Sequence, residues 1–311
     1  MTKAKKIKVA ILMGGISNER EVSLSTGKTA AQYMDKDKFI INLYDTKKDL
    51  SKLFLDISKN KIDICFIALH GKGGEDGSVQ GMLELLNVPY TGPGIMSSAV
   101  SINKIISKKL FIQNKILTPK FIITEDKKID PKEIKNKIGL PCVIKPSASG
   151  SSVGVFIIRK EADIKKGVKG AFKHGNKIII EEYIKGKEIT VGVLGNKNPR
   201  AMPIVEIIPK TKFFDYKAKY NAKFCNEIAP ARISVKATKK AQRLALQVYK
   251  LLECKGFSRI DMILKGEKLY VLENNTIPGL TPTSLFPKAA KANNISFSEL
   301  LEKIINFGLE K

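Results

Sequence analysis

An α/β (α+β) fold, opening on a small parallel sheet and closing near a β-hairpin, is predicted by three features of the sequence. Over roughly residues 1–100, apolar runs of strand length alternate with helical patterns, as in a parallel sheet covered by helices. Residues Val235–Leu252 place Ala237, Ala241, Leu244, Ala245, Val248, Leu251 and Leu252 on one helical face. Phe257–Leu264 and Lys268–Leu272 read as two apolar strands joined by the turn Lys265–Gly266–Glu267.

Taken in order, Ile7–Met13 is a buried-type strand, followed by Gly14–Gly15 and a helix from about Glu21 to Met34. This is an opening of Rossmann type, without the G-x-G-x-x-G fingerprint or its distal acidic residue. Gly27-Lys28-Thr29 ends like a P-loop, but Val22 stands where the first glycine is needed. A second unit comprises strand Ile62–Leu69, the loop His70–Gly77 and helix Val79–Leu86. Ligands of such sheets bind at the carboxyl ends of the strands, which puts Glu19 and His70 on one rim. His70 reads equally well as a loop histidine bonded to the backbone.

Pro89–Gly94 is a turn cluster and marks a domain boundary. A helix over about Ser97–Asn114 carries Lys104. Strands Lys120–Ile123 and Cys142–Lys145 follow, separated by a helix opened at Asp130-Pro131. Further strands are read at Val155–Ile158, Lys177–Glu182, Glu188–Leu194 and Met202–Ile208, with a helix around Ile164–Phe172. Pro209–Pro230 has no clean period and contains Lys219 and Tyr220; an irregular segment of that length is commonly a lid. Thr283–Asn293 and Ser296–Phe307 read as closing helices.

The 311 residues are 43% hydrophobic, enough for real cores, and suit two or three domains. The net charge of +25 raises nucleic acid or an anionic membrane as partners. Only six of the 55 basic residues are Arg, the Lys residues are scattered, and there is no Trp, so no nucleic-acid partner is expected. The four cysteines are far apart and lack C-x-x-C spacing, which indicates neither a zinc site nor a disulfide framework. With no apolar signal region and no run of about 18 apolar residues, the chain is expected to be cytoplasmic, with no membrane partner.

Three stretches carry chemistry. On the hairpin, Arg259 and Asp261 interrupt the first strand, and Glu273, Asn274 and Asn275 end the second. Paired positions on one face of a hairpin approach within about 5 Å. Asp261, Glu273 and Asn275 are therefore candidate Mg²⁺ ligands, and Mg²⁺ held by few carboxylates usually also takes substrate phosphates. The alternative is a solvated hairpin with ordinary polar residues. In Lys145–Gly154 (KPSASGSSVG), a Gly/Ser loop follows a strand-end lysine and can lie over phosphates, or serve only as a flexible hairpin turn. Glu181, Tyr183, Ile184 and Glu188 flank a turn where a base and ribose could rest, or where a strand end simply packs.

Six stretches in this order and spacing resemble the D-alanine–D-alanine ligase family of the ATP-grasp ligases. They are GGISNEREVS (Gly14–Ser23), LHGKGGEDGSVQG (Leu69–Gly81), KPSASGSSVG, FDYKAKY (Phe214–Tyr220), RID (Arg259–Asp261) and ENNTIPGLTPTSL (Glu273–Leu285). The resemblance spans nearly the whole chain. It implies an ATP-grasp fold in three parts: a Rossmann-like domain at 1–100, a central subdomain at 101–185, and a C-terminal subdomain at 186–311 with the metal site and lid. It implies that ATP phosphorylates the carboxylate of one D-alanine, and that the amine of a second attacks the acyl phosphate, as a step of peptidoglycan synthesis.

Carried onto this sequence, the resemblance makes Asp261, Glu273 and Asn275 ligands of two Mg²⁺ ions, with Mn²⁺ as a substitute and a monovalent cation admitted. Arg259 would stabilise the transferring phosphoryl group and the tetrahedral intermediate. Lys104, Lys145 and Lys219, with Ser152, would hold phosphates. Glu181, Tyr183, Ile184 and Glu188 would hold adenosine. Glu19 would take the first D-alanine's ammonium near His70, and Ser151 and Tyr220 would join Glu19 beneath the lid. Ser284 and Leu285 would bind the second D-alanine, and Gly279 would supply an amide to the oxyanion. A homodimer is also implied. Two departures stand out: Ala148-Ser149 where relatives often carry bulkier charged residues, and Phe214 where some have Tyr. The pair Lys219-Tyr220 favours the dipeptide over a D-lactate ester, with D-lactate or D-serine acceptors as the alternative.

Overall fold

The computed structural model describes residues 5–148, 150, 153–209 and 225–310. The first sheet is parallel, in the order β2 (Phe39–Asp45), β1 (Ile7–Met13), β3 (Ile64–Ile67). β1 is apolar on both faces because helices cover both, and its last five residues are fully enclosed. An isolated bridge from Cys65 to Tyr90 adds a third parallel pairing. Helices α1 (Arg20–Tyr33), α2 (Leu50–Ser58) and α3 (Ser78–Leu85) complete the expected alternation.

The sequence pattern does not single out β2 or α2. β2 is an edge strand whose Ile40 and Leu43 face outward, and α2 exposes Leu50, Phe54 and Leu55, so neither has a clean apolar period. The expected helix over Ser97–Asn114 is two helices, α4 (Ile95–Ile102) and α5 (Lys104–Gln113). Asn103 breaks it: its backbone is extended, and its Oδ1 accepts from Ile105 N at 3.2 Å and Ile106 N at 3.3 Å as the cap of α5. The break places Lys104 at the first turn of α5, where its N–H donates to Ser147 O at 2.8 Å.

The second sheet is antiparallel, in the order β4 (Phe121–Thr124), β7 (Ile178–Glu182), β5 (Cys142–Pro146), β6 (Phe156–Ile158). Helices α6 (Pro131–Lys137) and α7 (Ile164–Ala171) cover it, and Asp130 caps α6 with Pro131 in its first turn. The third sheet runs β11 (Cys225–Ile228), β10 (Val205–Pro209), β8 (Lys187–Leu194), β12 (Phe257–Lys265), β13 (Lys268–Asn275), with β9 (Arg200–Ala201) beside β8. β10 starts three residues later than the expected Met202, because Pro203 has no N–H to give a ladder.

One face of the third sheet packs on α8 (Val235–Leu251) through Ala241, Ala245 and Val248. On the other side α9 (Leu285–Ala292) and α10 (Phe297–Leu309) join it to the first sheet in one apolar cluster, which unites Ile11 and Phe66 with Phe257, Phe286 and Ile304. Each such fully buried side chain contributes about 1.5–3 kcal/mol relative to exposure. The four cysteines are free and buried. Among the described residues, no helix is long and apolar enough to cross a membrane.

Candidate functional site

The hairpin β12–β13 pairs Arg259 with Asn275 and Asp261 with Glu273, so all four face one side. The turn is made at Gly266, whose φ of +58° suits glycine. Just beyond the Asp261–Glu273 pair the register slips, and Met262 opposes Val271. This bulge breaks the alternation, so the consecutive residues Leu272 and Glu273 both reach the same cavity.

Asp261 is the hub. It accepts from Arg259 Nε and Nη2, each at 2.9 Å, from Thr190 Oγ1 at 2.6 Å and from Asn275 Nδ2 at 2.9 Å. Glu273 pairs with Lys104 at 3.0 Å. Two carboxylates and one amide give hard oxygen donors, which fit Mg²⁺ with waters or substrate phosphates completing its shell. Among the described residues no cluster of three or more His, Cys, Asp or Glu forms a metal cage; a three-member protein set on this hairpin would have to include the Asn275 amide.

A cavity of about 380 Å³ lies between the second and third sheets. Small-molecule sites span about 300–1,000 Å³. Lys104, Lys145, Glu181, Tyr183 and Ile184 line one side, and Glu188, Asp261 and Glu273 the other. Val143, Val155, Ile263 and Leu272 supply an apolar slot of the kind a flat ring needs. Ser151, Ser152, Lys219 and Tyr220 lie outside the described residues.

The back wall holds what sequence reading missed. Lys145 Nζ meets Glu181 Oε1 at 2.5 Å, and the fully buried Lys108 lies 2.9 Å from Oε2. Burial alone would raise the Glu181 carboxyl, but the two lysine charges outweigh it and hold it below the usual carboxylate range. Burial pushes the Lys108 ammonium down to about 8 against the pull of Glu181. Lys108 stands three residues from each of the buried Ile105 and Phe111, the one signal that it faces inward. Thr190, under Asp261, and Glu206, which lines the cavity and is gripped by Arg232, were also missed.

On the rim of the first sheet Glu19 is 7% exposed at the start of α1. Its Oε2 lies 2.8 Å from the position of a Cβ on Gly71 and 2.5 Å from one on Gly150. Glycine is required at both positions for that approach. Gly150 also lines the cavity, so Glu19 reaches the cavity's end from another sheet. His70 is buried, with Nε2 at 3.0 Å from Thr26 Oγ1 and Nδ1 at 3.8 Å from Glu75. Ser284 Oγ accepts from Thr281 N at 3.2 Å, lies 2.8 Å from Thr281 Oγ1, and sits 3.1 Å from the position of a Cβ on Gly279. Leu285 follows it, buried at the head of α9.

Comparison with known proteins gives the chain's family and fold. Residues 112–306 match the family model described as D-ala D-ala ligase C-terminus, and residues 44–93 match D-ala D-ala ligase N-terminus. The D-alanine–D-alanine ligase of Syntrophobacter fumaroxidans is 45% identical over 308 residues, covering 98% of each chain. That of Carboxydothermus hydrogenoformans is 42% identical, covering 98% of this chain and 99% of the relative. Among solved structures, the D-alanine–D-alanine ligase of Bacillus anthracis complexed with ATP superposes with a TM-score of 0.84 at 34% identity, covering 97% of each chain. The VanG D-Ala:D-Ser ligase of Enterococcus faecalis gives 0.82 at 32% identity, covering 98% of this chain and all of its own. The chain belongs to the D-alanine–D-alanine ligase family.

Proposed function

We propose that this protein uses ATP to join two D-alanine molecules into D-alanyl-D-alanine, by way of a D-alanyl phosphate. The observation that carries this reading is the register pairing of Asp261 with Glu273 at the wall of a cavity that also holds Lys104 and Lys145. Carboxylates and lysines lining one pocket suit a polyphosphate with its counter-ion.

Adenosine would sit against Tyr183, Ile184 and the apolar slot, with Glu181 and Glu188 taking its polar edges. The phosphates would run toward Lys104, Lys145 and Gly150. Asp261, Glu273 and Asn275 would hold Mg²⁺ or Mn²⁺, which neutralises phosphate charge when bound. The carboxylate oxygen of the first D-alanine attacks the γ-phosphorus and ADP leaves. The amine of the second then attacks the acyl carbon, the C–O bond to phosphate breaks, and the amine gives up a proton. Glu19 would orient the first substrate by its ammonium, Ser284 would take the carboxylate of the second, and the Gly279 amide would donate to the oxyanion. Arg259, fixed at two points by Asp261, would meet the charge that develops in both steps. A monovalent cation, a homodimer, a cytoplasmic location and a role in peptidoglycan precursor supply belong to the same reading.

The acceptor is the discriminating question, because one structural relative is a D-Ala:D-Ser ligase. The test is product analysis with equimolar D-alanine, D-serine and D-lactate near neutral pH. D-alanyl-D-alanine as the main product supports the reading, and a predominance of D-alanyl-D-serine or the D-lactate ester overturns it.

A further inference from the structure

The cavity's back wall contains a charge that the proposed reaction does not use. Lys108 on α5 is fully buried behind the lining residues. Its Nζ lies 2.9 Å from Glu181 Oε2 on β7 and 5.6 Å from the ring centroid of Phe121 on β4. It donates to Thr118 Oγ1 at 2.6 Å. Thr118 in turn donates to Val271 O at 2.8 Å, which ties the ammonium's anchor to the metal-site strand β13. Lys145, from β5, holds the other oxygen of Glu181 and lines the cavity.

A buried ammonium carries a desolvation penalty that an apolar side chain of similar length would not. Packing alone is therefore a poor account of a lysine here. Charge gives a better one. A carboxylate facing a single lysine cancels it, so Glu181 alone would neutralise Lys145 at the cavity wall. Two ammonium groups on one carboxylate leave one positive charge over, and Lys145 is the member that meets the cavity. In the low dielectric of a closed site that surplus acts strongly on an anion.

We propose that Lys108 is a positioning residue for the nucleotide: it neutralises Glu181 from behind the wall and so leaves the Lys145 charge available to the phosphate chain. This deepens the proposed function and rests on the reading that the cavity takes ATP. The effect scales with phosphate charge, so it separates from mere packing. Adenosine and ATP share the base and ribose but differ in the phosphates.

The experiment is calorimetric or displacement binding of ATP and of adenosine to the full chain, as wild type, Lys108→Met, Glu181→Gln and the double variant. Loss of a charge-assisted contact predicts ATP binding weakened about tenfold or more in Lys108→Met, with adenosine changed less than about twofold. The KM for D-alanine stays at the wild-type value. In the Glu181→Gln background the further loss on Lys108→Met is small, because the charge to be neutralised is already gone. Thr118→Val, which removes only the ammonium's anchor, moves ATP binding in the same direction by less, and it carries the comparison if Lys108→Met does not fold. Equal weakening of ATP and adenosine, or a full tenfold loss on top of Glu181→Gln, would overturn the proposal in favour of packing. Absence of ATP binding by the wild-type chain would also overturn it, and would locate the failure in the reading of the cavity rather than in Lys108.

Discussion

Arg259 and Asp261, two residues apart on one strand, form a two-point ion pair in which Nε and Nη2 each lie 2.9 Å from a separate carboxylate oxygen. Asp261 thus fixes a buried arginine on the hairpin while remaining one of the candidate metal ligands. The two roles predict a large effect from a small change. Asp261→Asn keeps the volume but loses the charge and one acceptor. It should cut turnover by about 100-fold or more, as the loss of a group at developing charge does. The accompanying loss of stability, about 1–3 kcal/mol, leaves the fold intact by circular dichroism. Turnover within a few-fold of wild type would remove Asp261 from the reaction.

Gly150 is where the second sheet's loop meets Glu19. A methyl group there falls 2.5 Å from Glu19 Oε2, so the carboxylate must move by about an ångström to restore van der Waals contact. Misplacement on that scale costs on the order of 10- to 100-fold. Gly150→Ala should therefore raise the KM for D-alanine by about tenfold or more while changing nucleotide affinity less. Steady-state kinetics with each substrate varied in turn checks this, and unchanged D-alanine kinetics would place Glu19 outside the substrate site.

The Arg20–Asp45 pair predicts a pH-dependent stability. Arg20 donates to both oxygens of Asp45, with Nη1 at 2.8 Å and Nη2 at 2.5 Å, and the contact holds the Asp45 carboxyl well below the usual carboxylate range. A carboxyl depressed on folding stabilises the protein above its unfolded value, near 3.8, and that contribution is lost as pH falls toward the folded value. Asp45→Asn should lower stability in urea unfolding at pH 7. The gap to wild type should narrow below pH 3.8. A gap that is constant, or that widens in acid, would contradict the pairing.

Chelation separates chemistry from folding at the hairpin. Asp261 is already satisfied by Arg259, Thr190 and Asn275, and Glu273 by Lys104. Removal of divalent cations should stop turnover and leave the melting temperature of the ligand-free protein unchanged. Mg²⁺ or Mn²⁺ should restore activity. Full activity in excess chelator would rule out the metal assignment.

Much of this site was legible in the sequence because hard-cation residues interrupt the two apolar strands of one hairpin. A two-residue period and the short turn would set Asp261 opposite Leu272; the bulge beside Asp261, which spacing does not announce, brings Glu273 opposite it instead. Contacts made across sheets were not legible from spacing alone. Nothing local says that Glu19 meets Gly150, some 130 residues away, or that Thr190 supports Asp261. Lys108 was hidden differently: among 49 lysines the ordinary reading is a solvated one, and only its place between buried Ile105 and Phe111 argues otherwise. The split of one expected helix into α4 and α5 came from a single asparagine whose side chain caps more favourably than it continues a helix.

The central claim is that this cavity couples ATP cleavage to D-amino-acid ligation. It is tested most directly by phosphate release from ATP with Mg²⁺ present and D-alanine, L-alanine or no amino acid added. The account predicts release that requires D-alanine and matches dipeptide formed mole for mole. Release that proceeds equally with L-alanine, or without any amino acid, would contradict it.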